Sequence, residues 1–276
     1  MSEPEDSSMT FWEHLEELRK RLIVIAVAVA VFTFLSLSFS QPIEKVLRFP
    51  METSINKILA VLIENTVGEE GSMMGFLSIA LRAGASEVEA ELFKVGPIEG
   101  IMAYLKISIA CGLLLASPIV LYQIWAFIFP ALTQQERRFA LPLLLVIVFF
   151  FVIGVIFAYL IVTPTVLHFS AKLFPDMANR WDIEKYVNFL TRLLLGFGIA
   201  FELPIVMAFL SWIGIVNSAG FREGQSYAVV GIFAASAMLT PADVLSMLLM
   251  AIPLIGLYQL GIFFAFLLER ESETYA

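Results

Sequence analysis

Long apolar runs without a charged side chain dominate this sequence. Leu22–Ile43, Ile107–Gln135 and Phe139–Ala171 contain no Asp, Glu, Lys or Arg, and each is long enough for a membrane-spanning helix, which needs about 20 residues. The whole chain is 59% hydrophobic and 15% charged, with a mean hydropathy of +0.87, whereas soluble domains carry about 25% charged residues. The sequence therefore predicts an integral membrane protein with little soluble structure of its own.

Six membrane-spanning helices are predicted from these runs and the apolar stretches that follow them. The first run is too long for the apolar core of a cleaved signal peptide, so we interpret it as an uncleaved first span. The predicted fold is an all-α membrane protein with one integral membrane domain, residues 1–276, and a long first outer loop at 41–100. The predicted spans are residues 22–41, 103–127, 139–162, 188–212, 226–239 and 245–267.

Arg19-Lys20-Arg21, directly before the first span, sets the predicted orientation. Positive residues beside a span favour the cytoplasmic side, and an even number of spans places both termini there. The last two spans are expected to be short, with Thr240 or Asp243 capping the start of the sixth helix. Recurrent prolines predict bent helices and hence a curved, concave bundle. These prolines are Pro118, Pro142, Pro164, Pro204 and Pro253.

The first outer loop contains three segments with apolar residues at helical spacing. They are residues 54–64, 73–81 and 88–93. We predict that each forms a short amphipathic helix on the membrane surface or against the end of the bundle.

Composition and motifs argue against several function classes. The formal charge of −8 argues against nucleic acid and favours a cationic partner. His14 and His168 fall on opposite sides of the predicted membrane, and Cys111 is the one cysteine. No His-Glu-x-x-His motif, nucleophile motif or phosphate-binding glycine loop occurs in the sequence. We therefore expect no enzyme, metal site or cofactor.

Glu202 is the only charged residue between Leu193 and Phe221. An acid at that depth costs about 2.5–3.5 kcal/mol on insertion scales, which marks it as a candidate functional residue. Gly196 and Gly198 would let another helix approach closely, and Pro204 would kink the span. Three roles stay open: a docking groove for another transmembrane helix, a proton site, or a neutral carboxyl group that only holds helices together.

Two further acidic groups lie at the edges of apolar spans, near Glu17 and Glu136. On a helix, the segment containing Glu17 could be an ordinary interfacial anchor, or Glu17 could be left free to bind a guanidinium group. Thr133 and Glu136 fit a capping box that opens the third span, which is the alternative to a recognition role for Glu136. Arg137 and Arg138 are interpreted as positive-inside residues.

Five separate sequence blocks, in order along the chain, resemble the TatC family, the multispan receptor of the twin-arginine protein translocase. The resemblance covers about residues 11–268. The blocks are His14-Leu15-Glu16-Glu17-Leu18-Arg19-Lys20-Arg21-Leu22, the segment from Ser117 to Phe127, Pro130-Ala131-Leu132 with Glu136-Arg137-Arg138, the segment from Phe197 to Pro204, and Leu239-Thr240-Pro241-Ala242-Asp243-Val244 with Ala251-Ile252-Pro253.

The resemblance implies a receptor in the bacterial or archaeal cytoplasmic membrane that binds the Arg-Arg pair of signal peptides on folded cargo. It also implies single-span partners of the TatA/TatB type, a homo-oligomeric receptor complex and transport driven by the proton-motive force. The first outer loop is enlarged relative to the family. The implied residues are Glu17, Glu136, Arg19, Phe127, Arg137 and Arg138 for the signal peptide, Glu202 for the partner helix, and Pro50 and Asp243 for the periplasmic side.

Two other functions are compatible with the residues alone. A proton-coupled secondary transporter would use Glu202 as its ion site, and it would be expected to have discontinuous helices and inverted repeats. A structural scaffold would use the acids only as helix caps.

Overall fold

The computed structural model describes residues 11–52, 90–93, 96, 98–128, 140–173, 179–240 and 244–274. The chain divides into two compact units, which are described separately below. The first unit comprises Met1–Ser38 and Ser108–Val148, and the second comprises Phe39–Ile107 and Phe149–Ala276.

Helices make up almost all of the described structure, and the predicted all-α membrane class is confirmed. In chain order they are α1 Phe11–Leu37, α2 Ser40–Glu52, α3 Glu99–Ile128, α4 Ala140–Phe157, α5 Thr163–Leu173, α6 Ile183–Ala200, α7 Leu203–Trp212, α8 Ser218–Glu223, α9 Gln225–Leu239 and α10 Val244–Thr274. A π-helical turn, Ala158–Val162, joins α4 to α5, and two short strands are β1 Ala90–Phe93 and β2 Asn179–Asp182.

Five helical stretches of the described chain are long and apolar enough to cross a membrane. They are Trp12–Leu37, Glu99–Phe127, Leu141–Ala171, Ile183–Trp212 and Met247–Glu269, and α9 is a sixth, shorter apolar helix. At 1.5 Å per residue, the 15 residues of α9 span about 22 Å, less than a hydrocarbon core of about 30 Å. The predicted short fifth helix is confirmed, and the six-span count and cytoplasmic termini stay predictions.

The sixth helix differs from its prediction because it is not short. α10 has 31 residues and continues well beyond its apolar part. No proline or glycine interrupts the sequence after Leu268, and glutamate and arginine there are good helix formers. Glu269 also accepts a hydrogen bond from the backbone N–H of Ser218, at 3.1 Å, which ties this end of α10 to α8.

In the first unit, α1 and α3 approach each other closely. A Cβ atom at Gly112 would lie 2.6 Å from the backbone nitrogen and Cα of Thr33. Only glycine fits at such a backbone contact, as is common where membrane helices pack without a hydrophobic driving force. This contact brings α1 alongside α3, whose two ends lie in different units.

In the second unit, α10 packs against α7. Gly261 of α10 provides the close approach, because a Cβ atom there would lie 2.4 Å from the sulfur of Met207. Met207, Tyr258 and Ile262 form a buried cluster at this contact. The Ser211 hydroxyl donates to the carbonyl of Ala265 at 3.1 Å, so a polar contact supplements the packing.

The fourth span is broken, as Pro204 predicts. α6 ends at Ala200 and α7 begins at Leu203. Proline has no N–H to donate to the carbonyl of Ala200, and its ring would clash with that carbonyl. Across the break, the backbone N–H of Glu202 bonds to Ile199, at 3.0 Å, in a tighter turn.

The first outer loop contains a helix that the sequence interpretation missed. α2 begins with Ser40 and Pro42, which are typical residues at helix starts, and it buries Leu47, Pro50 and Met51. Pro50 lacks the N–H that would normally bond to the carbonyl of Val46. The Tyr159 hydroxyl donates to that carbonyl instead, at 2.7 Å, and fastens α2 to the third span.

The predicted helix at residues 88–93 is wrong for its last four residues. Ala90–Phe93 is a strand that pairs in parallel with Asn179–Asp182, with Ala90 opposite Asn179. So short a segment fits either structure by local pattern, and a partner distant in sequence decides between them. The predicted helices at 54–64 and 73–81 lie outside the described residues.

Candidate functional sites at Glu17 and Glu202

Glu17 lies in a polar cluster where α1 and α3 run side by side in the first unit. His14, Glu17 and Arg21 recur at spacings of three and four residues and so share one face of α1. Gln123 and Phe127 are four residues apart on α3 and face them. We call these five residues the Glu17 cluster.

Arg21 links the two helices of this cluster. Its Nε donates to Glu17 Oε1 at 3.0 Å, its Nη2 contacts the same oxygen, and its Nη1 donates to Gln123 Oε1 at 3.2 Å. The His14 ring stacks on Phe127 with centroids 4.3 Å apart. The side chains of Glu17 and Arg21 are only 19% and 22% exposed, so the ion pair is partly withdrawn from solvent.

The second carboxylate oxygen of Glu17 is the unusual atom of the cluster. Oε2 is buried and has no hydrogen-bond partner among the described residues. In a bidentate pair, a guanidinium group bonds to both carboxylate oxygens. Arg21 instead donates twice to Oε1. The expectation that Glu17 is left free is therefore wrong in part: one oxygen is occupied and the other retains its capacity to accept.

The other residues predicted around Glu17 divide into two groups. Arg19 is exposed and lies two residues from Glu17, which is roughly 200° around the helix, so it is outside the cluster face. Glu136, Arg137 and Arg138 lie outside the described residues. Nearby, Lys20 and Glu16 form an exposed ion pair at 2.8 Å, and such surface pairs contribute little stability.

The site residues predicted from the sequence did not include three members of the cluster, His14, Arg21 and Gln123. The sequence does indicate Arg21, because Glu17 and Arg21 have the four-residue spacing of a helical ion pair. A second missed ion pair, Lys106 with Glu184, joins α3 to α6 within the second unit. Both sets depend on which helices pack together, which the local pattern does not determine.

Glu202 lies in the second unit, at the break between α6 and α7. Its carboxylate does not cap α7. The backbone of Phe151 comes near the carboxyl group, but no contact meets hydrogen-bond geometry, and both oxygens are buried without a partner in the described chain. A buried carboxyl group without a partner is costly, so a proton or a polar group from another molecule would stabilise this site.

Glycines bring the neighbouring helices against the break, as Gly196 and Gly198 predict. A Cβ atom at Gly198 would lie 2.8 Å from the ring of Phe151 in α4, and one at Gly196 would lie 2.6 Å from Leu239 in α9. Gly154 of α4 in turn approaches the carbonyl of Phe197. Glu202 therefore sits in a tightly packed part of the span.

Of the two residues predicted to act on the periplasmic side, the structure describes Pro50 but not Asp243. Pro50 is described and is fully buried in α2. Asp243 lies outside the described residues. The alternative cap, Thr240, acts at the end of α9, where its hydroxyl donates to the carbonyl of Ser236 at 3.0 Å.

In the described chain, apolar helices long enough to cross a membrane carry a polar cluster where α1 packs on α3 and a buried acid at the break between α6 and α7. A family model described as Sec-independent protein translocase protein (TatC) matches residues 13–253. The chain belongs to the TatC family.

Individual relatives agree with this assignment. The TatC protein of Helicobacter pylori is 40% identical over 175 residues, covering 63% of this chain and 69% of that protein. The TatC protein of Aquifex aeolicus is 33% identical over 268 residues, covering 96% and 98%. A crystal structure of the twin-arginine translocase receptor TatC in DDM superposes with a TM-score of 0.72 at 33% identity, covering 91% of this chain and 98% of that one.

Family membership decides between the functions that the residues left open. The chain is a translocase component of the Tat system, a multi-pass protein of the bacterial cytoplasmic membrane, and it is not an enzyme. The broken fourth span resembles the discontinuous helices of secondary transporters, but the family places this chain among protein translocases instead.

Proposed function

We propose that this chain is the receptor subunit that binds the consecutive arginine pair of signal peptides on folded cargo at the cytoplasmic face. It then recruits single-span partners of the TatA/TatB type, which form the transport route with energy from the proton-motive force. Arg19-Lys20-Arg21 before the first span supports the orientation with both termini in the cytoplasm.

The observation that carries this proposal is the Oε2 atom of Glu17, which has no hydrogen-bond partner among the residues that the structure describes. Arg21 engages only Oε1, so the carboxylate can accept further N–H groups through Oε2. A guanidinium group is always charged and offers five donors in a planar fork. Because Oε2 is buried, an incoming arginine would require the side chains around it to move, and Arg21, which bonds to both Glu17 and Gln123, is the one we expect to be displaced. Signal binding is therefore coupled to release of Arg21.

The other predicted residues complete a surface for two arginines. Phe127 and His14 provide stacked rings over which a guanidinium group can lie. As the family resemblance implies, Glu136 would supply the second carboxylate, and Arg19, Arg137 and Arg138 would contribute to signal-peptide binding. Two acids at the ends of different helices would recognise an arginine pair by geometry, because lysine cannot reproduce the two-pronged contact.

Glu202 serves the second step, in which a partner helix docks. Both carboxyl oxygens lack a hydrogen-bond partner in the described chain, so a polar side chain on the partner span would remove the cost of burying them. Pro50 and Asp243 have supporting roles on the periplasmic side, and the receptor complex contains several copies of this chain.

Site-specific photocrosslinking in native membranes tests this division of roles. A benzoylphenylalanine at position 127 should capture an Arg-Arg signal peptide, and one at the exposed position 199 should capture a single-span partner. Position 263 in α10, which is also exposed, is the matched control and should capture neither. Equal capture of the signal peptide at positions 127 and 263 would contradict the proposal.

A further inference from the structure

A cavity in the second unit lies at the opposite end of α6 from Glu202. It has a volume of about 370 Å³, opens to the outside, and is lined by residues of α5, β1, β2 and the first turns of α6. Trp181, Tyr186 and Phe189 form part of its wall, and Arg180 and Lys185 are the cations at its edge. The proposed receptor function uses none of these residues.

The apolar wall is held rigidly by its own contacts. Tyr186 is only 4% exposed, and its hydroxyl donates to the carbonyl of Leu47 at 2.7 Å. Trp181 stacks on Tyr186 with ring centroids 6.3 Å apart, and Phe189 is buried. These contacts within the chain position the wall, and a pre-organised wall reduces the entropic cost of binding.

The charge around the cavity favours an anion. Asp182 is the one acid among its described lining residues, and its Oδ1 already accepts the backbone N–H groups of Glu184 and Lys185, at 2.8 and 3.3 Å. Arg180 has interactions within the protein. The exposed Lys185 ammonium group has no hydrogen bond or ion pair with the residues that the structure describes, so it is available to a ligand.

A second cation continues the same face of α6 towards the membrane interior. Lys185, Arg192 and Ile199 follow each other at seven-residue intervals and are all exposed. Arg192, like Lys185, has no polar partner within the described chain. Seven residues correspond to about 10 Å along the helix, and side chains lean towards the helix N-terminus. We therefore expect the long Arg192 side chain to reach back towards Lys185 and the membrane surface.

We propose that this cavity and the face carrying Lys185 and Arg192 bind the phosphate head group of an anionic phospholipid. The phosphate would lie between the two cations, and the glycerol and upper acyl chain would pack against Trp181 and Phe189. The aromatic wall favours a lipid over a soluble anion, because only a lipid has apolar groups to bury against it. In the proposed orientation the lipid belongs to the periplasmic leaflet, where tryptophan and tyrosine commonly lie.

Native mass spectrometry of the purified chain in detergent, titrated with phosphatidylglycerol, tests this site. Each of K185Q and R192Q should weaken the tightest phosphatidylglycerol binding about fivefold, and the double variant about 25-fold, as expected for basic residues near an anionic head group. K45Q removes an exposed lysine from α2 in the same unit and should change binding less than about twofold.

Two further measurements separate the lipid from other ligands. Phosphatidylglycerol with brominated acyl chains should quench Trp181 fluorescence in the wild-type chain and less so in the double variant, with W181F as the control. Unchanged lipid binding and quenching in the double variant would overturn the proposal. Displacement of the lipid by inorganic phosphate at equal concentration would also overturn it, because the site would then recognise a soluble anion.

Discussion

Glu17→Gln should lower the affinity for an Arg-Arg signal peptide about 100-fold. The substitution keeps the size of the side chain but removes the charge of a partly buried carboxylate (19% exposed), and losing one partner of a buried charged hydrogen bond costs about 2–5 kcal/mol. The measurement is the Kd of a fluorescent signal peptide for the purified chain in lipid nanodiscs.

Glu16→Gln is the matched control for this variant. Glu16 precedes Glu17 in α1, but its side chain is 63% exposed and pairs with Lys20, which is 72% exposed. Its loss should change the Kd less than about threefold, because exposed ion pairs contribute little. A Glu17→Gln chain that bound the peptide as tightly as the Glu16→Gln chain would exclude Glu17 from recognition.

Substituting Arg21, which pairs with Glu17, should change the affinity for the signal peptide in the opposite direction. Arg21→Gln removes the guanidinium group that occupies Oε1 and should tighten signal-peptide binding about fivefold, the size expected for a partly exposed ion pair. Weaker binding would instead mean that Arg21 positions the carboxylate for the ligand. The comparison therefore distinguishes a competitor from a positioning residue.

Glu202→Leu should reduce capture of the single-span partner about tenfold, the size of a strong hydrogen bond between membrane helices. Glu202→Gln should retain most of the partner capture, because the glutamine amide can still donate and accept hydrogen bonds at this position. Co-purification of the tagged chain with its partner, at equal expression, measures both. Val206→Leu, at an exposed position of α7, is the control and should have little effect.

Thermal stability of the isolated chain separates docking from internal structure. Both oxygens of Glu202 lack a hydrogen-bond partner in the described chain, so leucine removes no internal bond and should not lower the melting temperature. A lower melting temperature for Glu202→Leu would mean that the acid holds the helices of this chain together. Equal damage by glutamine and leucine would indicate that ionisation or proton transfer is required.

The sequence predicts those parts of the fold that depend on local chemistry. Charge-free runs long enough to cross a bilayer predict the spans, Pro204 predicts the break beside Glu202, and the turn after Leu239 predicts a short fifth helix. The strand Ala90–Phe93 was missed because its partner lies far away in the sequence. The length of α10 was missed because helix propensity continues after hydrophobicity ends.

In the candidate sites too, the sequence indicates individual residues but not the contacts between helices. Glu17 and Glu202 stand out in the sequence because each is a carboxylate in or beside an apolar span. The contacts of Arg21 with Gln123 and of His14 with Phe127 require α1 to pack against α3. The role of Pro50 also needed the structure, because its effect is to leave the Val46 carbonyl to the Tyr159 hydroxyl.

The central claim is that carboxylate oxygens at the cytoplasmic face recognise the geometry of paired guanidinium groups. It is tested most directly by the Kd of one signal peptide carrying either Arg-Arg or Lys-Lys, measured with the wild-type chain at fixed ionic strength. We expect the Lys-Lys peptide to bind at least about tenfold more weakly, because lysine keeps the charge and loses the two-pronged contact. Equal affinity of the two peptides would contradict it.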